Sequence, residues 1–438
     1  MLKLPTAEYA QRRQQLLAQL PAGAVVLIQA AASQIRNGDV EQDYRQNSNF
    51  QYLCGFLESD AVLVLSNHAK GPVSSLFCRS KDKLQEIWHG RRLGVEAAPA
   101  ALNIDHAFAV DGLAEKLIEL LDGATSLLYC FSREDTQNLV QISLQQLRGL
   151  SRQGKQCPTQ LADLDPLLSA MRLLKSDAEV AQMQAACNIS VAAHKRAMSV
   201  CKVGMNEYQL AAEVHHQFAV QGSARVAYGS IVAGGENACI LHYTNNDQAL
   251  QDKDLVLIDA GCELDHYAAD ITRTFPVNGR FTAPQKAIYE LVLAAHQAAL
   301  AVIKPGTPFS AMQDAAVTVM TQGLLDLGLL EGSLDKNIDE QSYRKYYMHN
   351  IGHWLGMDVH DVGIYKLDGE SRPLEVGMVT TVEPGLYIDP EDETIDPQWR
   401  GIGVRIEDNI LVTQDGYLNL TQALPVTVAD IEALMACA

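Results

Sequence analysis

Four acidic residues stand in or against apolar runs of strand length, and no other feature constrains this chain as tightly. DLVLIDAG puts Asp259 after Leu255–Ile258, and AADITRTFPV puts Asp270 in the next strand-like run. TTVEPGLYI sets Glu383 among Val and Leu, and GVRIEDNILV sets Glu407 between Ile406 and Asp408. A carboxylate facing a core is costly unless it is paired, hydrogen-bonded or metal-bound. A turn centred on Cys262–His266 lets Asp259 and Asp270 face each other in a hairpin, where paired strands lie ~4.8 Å apart. Two carboxylates that close repel unless protonated or bridged by a cation. The plainer alternative stays open: Asp259 ends a strand and Asp270 is an exposed polar position.

MHNIGHWLGMDVHDVG adds His349, His353 and His360. His349 and His353 have the spacing that places two imidazoles on one helix face. An H-E-x-x-H metalloprotease needs Glu after the first His, and Asn350 stands there instead. Gly352 and Gly356 also oppose a long regular helix. Arg405, two residues before Glu407, shares its strand face, either as an ion-pair partner or as a group orienting a ligand carboxylate. Asp259, Asp270, His353, Glu383 and Glu407 together form an oxygen-rich set suited to two hard-to-borderline divalent ions such as Mn²⁺. Two metals ~3.5–4 Å apart lower the pKa of a shared water and polarise a carbonyl, the chemistry of metal-assisted hydrolysis.

The remaining motifs have plainer explanations. Gly401-x-Gly403 lacks the third glycine and the helix of a dinucleotide fingerprint, and Gly234–Gly235 lacks the lysine of a phosphate loop. The acidic run Asp389–Asp396 lacks the central glycine of a calcium loop.

At ~150 residues per domain, 438 residues favour two or three domains. Apolar strand-length runs at 24–31, 61–66 and 126–130 alternate with helical stretches at 6–20 and 112–121, which indicates an α/β first domain. Residues 149–164 are polar and irregular and read as a linker or peripheral loop. Ser176 and Glu179 form a capping box ahead of a helical pattern running to about residue 200. The boundary falls near 170–175, giving domains 1–172 and 173–438. The second domain reads as helices 177–200 and 206–221, then strands 226–233, 254–260 and 267–277. Helices 283–303 and 308–328 follow, and then strands 378–388 and 402–413. That order suggests a weak internal duplication, and its irregular alternation makes the chain α+β rather than a doubly wound sheet.

With 34 Lys+Arg against 53 Asp+Glu, the net charge of −19 gives no long-range pull toward nucleic acid or an anionic membrane. No run approaches ~18 apolar residues, and the start lacks a secretory pattern. Nine scattered cysteines without a C-x-x-C pair read as reduced thiols in a cytoplasmic protein.

Across nearly its full length the chain resembles the aminopeptidase P (Xaa-Pro aminopeptidase) family of pita-bread metallopeptidases, which also includes prolidase and methionine aminopeptidase. YRQNSNFQYLCGF (44–56) and EIWHGRRLG (86–94) carry the likeness in the first domain. GENACILHYT, LIDAGCELDHYAADITRTFPVNG, HWLGMDVHDVG, TVEPGLYI and GIGVRIEDNILVT carry it in the second. The resemblance implies a C-terminal pita-bread (creatinase/aminopeptidase) fold. It also implies a smaller N-terminal α/β domain that governs substrate access and oligomer contacts. It implies two divalent ions per subunit, Mn²⁺ first, with Co²⁺ or Zn²⁺ as alternatives. Asp259 would bind one ion, Asp270 and Glu407 would bridge both, and His353 and Glu383 would bind the other. His242 and His360 would lie near the scissile carbonyl and His349 beside the proline. Arg405 and Tyr387 would support Asp259, and Tyr228 and Trp88 would contact substrate. The implied activity is release of the N-terminal residue from peptides with proline second, in a homodimer or homotetramer. Prolidase, restricted to Xaa-Pro dipeptides, is the alternative enzyme. A metal-free peptide- or histone-binding relative is the alternative from another class, and such relatives lose ligands that this chain keeps.

Overall fold

The computed structural model describes residues 4–67 and 73–437. They divide into two compact units, Leu4–Met171 and the residues from Arg172 onward. In the first unit, six strands form one mixed sheet: β1 (Ala24–Gln29), β2 (Val62–Ser66), β3 (Ser74–Cys78), β4 (His106–Ala109), β5 (Ser126–Tyr129) and β6 (Gln160–Asp163). Their order is β4-β3-β2-β1-β5-β6. The β1–β2 and β2–β3 pairs are antiparallel, and the β1–β5, β5–β6 and β3–β4 pairs are parallel. Central β1 is apolar without alternation because both its faces are covered. Helices Leu113–Leu121 and Glu134–Gly149 press Leu117, Leu121, Val140 and Leu144 against Val25, Leu27, Val64 and Leu127. The stretch 149–164 is not simply a linker, because it supplies β6 at the sheet edge. Its polar composition hides the strand, since an edge with exposed side chains needs no apolar run.

The second unit repeats one motif. Helices α1 (Asp177–Val200) and α2 (Glu207–Val220) precede a sheet of β7 (Ile231–Gly234), β8 (Leu255–Asp259) and β9 (Thr272–Pro276). Helices α3 (Ala283–Ala301) and α4 (Ser310–Asp326) precede strands β10 (Val379–Val382), β11 (Gly385–Tyr387), β12 (Gly403–Arg405), β13 (Asp408–Thr413) and β14 (Gly416–Asn419). Here β10-β13-β14 form one sheet and β11–β12 a separate pair. The sequence dictates the helix starts. Ser176 Oγ accepts from Glu179 N–H at 3.3 Å while Glu179 accepts from Ser176 N–H at 3.0 Å. Thr282 and Gln285 make the same box ahead of α3.

Four of the continuous strands expected from sequence are interrupted in the structure. The run 226–233 splits between Arg225–Val226 and β7. The other three break at the acids. The run 267–277 breaks between Tyr267–Ala268 and β9, at Asp270. The run 378–388 breaks at Glu383–Pro384, and 402–413 at Ile406–Glu407. An unbroken strand would turn each carboxylate onto a sheet face. A break lets it leave the sheet, and Pro384 has no N–H to continue the ladder. The two sheets meet at these breaks, where Glu407 N–H donates to Thr272 carbonyl at 3.1 Å. His349 and His353 do not share a helix face, because residues 347–353 form neither helix nor strand. Gly352 there lies so close to Thr381 carbonyl that a Cβ would overlap it.

Fully buried His194 on α1 donates from Nε2 to the carbonyl of Ala260, which follows Asp259, at 2.9 Å. Burial pulls its pKa down to about 4. The unfolded chain, with an imidazole pKa near ~6.5, therefore takes up a proton that the fold refuses. Stability should be intact above pH ~6.5 and fall by about 3 kcal/mol on this account by pH ~4. Denaturant unfolding of wild type and His194→Gln across that range should show a shallower acid loss in the variant. Parallel curves would exclude His194 as the source.

Candidate metal centre

A cavity of about 460 Å³ opens where the strand breaks converge, and Asp259, Asp270, His353, Glu383 and Glu407 all line it. The break geometry explains the convergence. Asp259 ends β8 opposite Thr272, and Asp270 lies just before Thr272. Glu383 follows β10 and Glu407 precedes β13, whose ends pair as Val382 with Asp408. Asp270, His353 and Glu407 each offer a ligand atom within 4.8 Å of the other two. His353 Nε2 lies 3.4 Å from Asp270 and 3.5 Å from Glu383, while its Nδ1 lies 3.0 Å from the Trp354 carbonyl. That backbone contact turns Nε2 toward the acids.

The expected meeting of Asp259 and Asp270 occurs through Tyr228, whose hydroxyl is 2.6 Å from one and 2.5 Å from the other. One phenolic proton serves only one of two carboxylates at a time. Arg405 Nη2 donates to Asp259 at 2.5 Å, its Nη1 to Tyr387 hydroxyl at 3.0 Å and its Nε to Thr272 hydroxyl at 3.1 Å. Thr272 passes its proton contact to Glu407 at 2.7 Å. Tyr387, already accepting from Arg405, donates to His349 Nε2 at 2.8 Å, which leaves His349 Nδ1–H for Asn350 carbonyl. Burial and then Arg405 push His349 down to about 4, so this imidazole is neutral.

The acids respond to one another. Burial, then the neighbouring Asp270, pushes Glu407 well above the carboxylate range. Burial, with Asp270 adding to it against His353, pushes Glu383 up to about 7. Burial likewise raises Asp259, although Arg405 opposes it. Burial disfavours a charged His353, but Asp270 and then Glu383 outweigh this and push it up to about 9. Burial would raise Asp270 too, yet His353 holds it below its ordinary value. The cavity thus retains protons where four carboxylates would otherwise repel. A buried donor set of four carboxylates and one imidazole fits divalent metal, since the ion replaces those protons.

His242 and His360 also line the cavity, and the His360 ring lies 4.3 Å from the His353 ring. The next residue, Asp361, is held by Arg172 at 2.5 Å and Lys175 at 3.0 Å, all three buried. Trp88 lies in the other unit, on helix Lys83–His89, and is 81% exposed. Sequence reading missed Thr272, Arg172, Lys175 and Asp361. No spacing rule connects them to the acids they serve.

The comparisons decide the family. The description of metallopeptidase family M24 matches residues 181–414, and that of the aminopeptidase P N-terminal domain matches residues 9–129. The chain belongs to metallopeptidase family M24. Xaa-Pro aminopeptidase of Escherichia coli is 45% identical over 447 residues, covering 100% of this chain and 99% of the relative. The structure of Pseudomonas aeruginosa aminopeptidase PepP matches with a TM-score of 0.99 at 49% identity, covering 100% of this chain and 99% of that one. Zinc-substituted E. coli aminopeptidase P in complex with product matches at 0.97 and 45%, covering 99% of each. The resemblance drawn from sequence is borne out, as is the α+β fold with its two kinds of domain. The M24 chain is an enzyme, a metallopeptidase, and no described helix is long and apolar enough to cross a membrane.

If His353 and Glu383 ligate metal in this M24 cavity, an entering ion must displace their protons. Below pH ~9 the imidazole resists, so apparent metal affinity should climb as pH rises from 6 to 9. Calorimetric titration of metal-free protein at pH ~7, in buffers of differing ionisation enthalpy, should register release of about one proton or more per protein. Proton uptake, or affinity flat with pH, would contradict the assignment.

Proposed function

We propose that this metallopeptidase is an Xaa-Pro aminopeptidase, releasing the N-terminal residue from peptides whose second residue is proline. The observation that carries the reading is the convergence of five ligand-type side chains on one cavity beside three further histidines. Full-length identity to Xaa-Pro aminopeptidases supports it and leaves the prolidase alternative unfavoured. The retained donor set argues against a non-catalytic relative. A prolyl amide is tertiary and offers no N–H, so enzymes that read that N–H fail there and a dedicated pocket is useful.

In this reading Asp259, Asp270, His353, Glu383 and Glu407 hold two divalent ions. The oxygen-rich donors favour Mn²⁺, with Co²⁺ or Zn²⁺ as alternatives. Bound metal would supply Lewis acidity and an activated water. Glu383 would take up the proton that the attacking water gives up and deliver it to the leaving prolyl nitrogen. His360 is pushed down by burial and then by His353, so it would meet the developing oxyanion as a neutral N–H donor. His242 would assist at the same carbonyl. His349, fixed by Tyr387, would lie beside the proline ring, with Tyr228 and Arg405 completing the wall. In a homodimer or homotetramer the N-terminal domain would govern access and subunit contacts, with exposed Trp88 contacting substrate held by a neighbouring subunit. The acidic balance and thiol usage support a cytoplasmic location.

Tripeptides test the reading directly. Xaa-Pro-Xaa should be cut far faster than matched Xaa-Ala-Xaa, and equal kcat/KM would indicate a broad aminopeptidase. Activity confined to Xaa-Pro dipeptides would revive prolidase.

The two neighbouring histidines separate by metal content. His360→Ala should keep near-full metal with kcat lowered ~10²–10³-fold, while His353→Ala should lose at least one ion. Metal lost from the His360 variant but kept by the His353 variant would reverse their roles.

A further inference from the structure

Asn409 lies two residues beyond Glu407, and its main chain is fixed on both sides. It sits opposite Thr381 of β10, donates its N–H to Thr421 hydroxyl at 3.2 Å, and accepts from Leu420 N–H at 2.9 Å. Its fully buried side chain crosses to the other half of the repeat. There Oδ1 accepts from Asp270 N–H at 3.0 Å, and Nδ2 donates to Asp270 carbonyl. Cys187 Sγ also donates to Oδ1, at 3.2 Å, so both lone pairs of that oxygen are used and the amide cannot flip without losing contacts. A donor and an acceptor presented together to one residue are what a neighbouring strand's peptide offers in an antiparallel ladder. Asp270 falls at the break between Tyr267–Ala268 and β9, where no strand supplies that peptide.

We infer that Asn409 is a positioning residue for Asp270. Its side-chain amide replaces the missing ladder partner and fixes the backbone so that the Asp270 carboxylate leaves the sheet and enters the cavity. Because Asn409 also follows Glu407 on β13, one residue sets the spacing between two acids that come from sequence positions far apart. A complementary tie runs the other way. Arg273, three residues after Asp270, donates to Glu407 carbonyl at 2.7 Å and pairs with Asp408 at 2.7 Å. The inference rests on the reading of Asp270 as a metal ligand.

Two variants test it. Asn409→Leu keeps the approximate size and removes both hydrogen bonds. Asn409→Asp keeps the acceptor for Asp270 N–H but replaces the donor with an oxygen facing Asp270 carbonyl. Metal-free proteins are titrated with Mn²⁺, and thermal unfolding of the same samples is recorded. A positioning role predicts metal affinity weakened roughly 10–100-fold in a folded variant. A purely structural tie would lower the metal-free midpoint and leave affinity unchanged. Affinity within about twofold of wild type in either folded variant overturns the inference, and so does failure of both variants to fold. Asp270→Asn, titrated in parallel, separates the two levels. If it keeps full metal affinity, the ligand reading itself is wrong. If it loses metal while the Asn409 variants do not, only the role of Asn409 fails.

Discussion

Mutual repulsion among Asp259, Asp270, Glu383 and Glu407 is the constraint on which the rest of the second unit depends. Four carboxylates in a largely buried cavity cannot all carry charge without cations. The fold answers with graded support. Arg405 stands against Asp259, His353 against Asp270 and Glu383, and Thr272 against Glu407. Burial, with the charge of Asp270 adding to it, outweighs these contacts and keeps Glu383 and Glu407 raised. That residual imbalance is what a bound divalent cation would relieve.

The same constraint explains the broken strands. A β-strand alternates its side chains between two faces, so a regular sheet cannot send several acids into one point beyond its end. Interrupting the chain at Asp270, at Glu383–Pro384 and at Ile406–Glu407 solves this but leaves backbone groups without ladder partners. Ties across the two halves then become necessary. Thr272 carbonyl takes Glu407 N–H, Arg273 takes Glu407 carbonyl, and Asn409 takes both polar groups of Asp270. At the seam, one backbone bond and two side chains do what strands do elsewhere.

What the sequence makes legible follows from this arrangement. The acids were visible because a carboxylate within an apolar run contradicts its surroundings. The helices were visible because Ser176 and Glu179 announce a start within three residues. The roles of Tyr228, Thr272 and Asn409 were not visible from periodicity, because each depends on contacts tens to more than a hundred residues away. Whether His353 or His360 faces the acids was equally hidden from spacing, since both lie in a segment with no regular period. Edge strand β6 was hidden for the opposite reason, since exposed side chains left it no apolar pattern to read.

The duplication gives the site a further property. Each half contributes two acids from equivalent places, one at the end of a strand and one just before its antiparallel partner. Neither sheet holds a complete donor set by its strands alone, and His353 enters from an irregular segment laid along β10, where its carbonyl accepts from Thr381 N–H at 2.9 Å. Its far end is anchored by buried Arg172 and Lys175 on Asp361, a cluster costly to break because it would strand charge in the interior. Affinity for metal therefore requires both sheets, the seam and the loop in register at once. A metal bound there stabilises the whole unit rather than one turn of it, since it is held only by the assembled state.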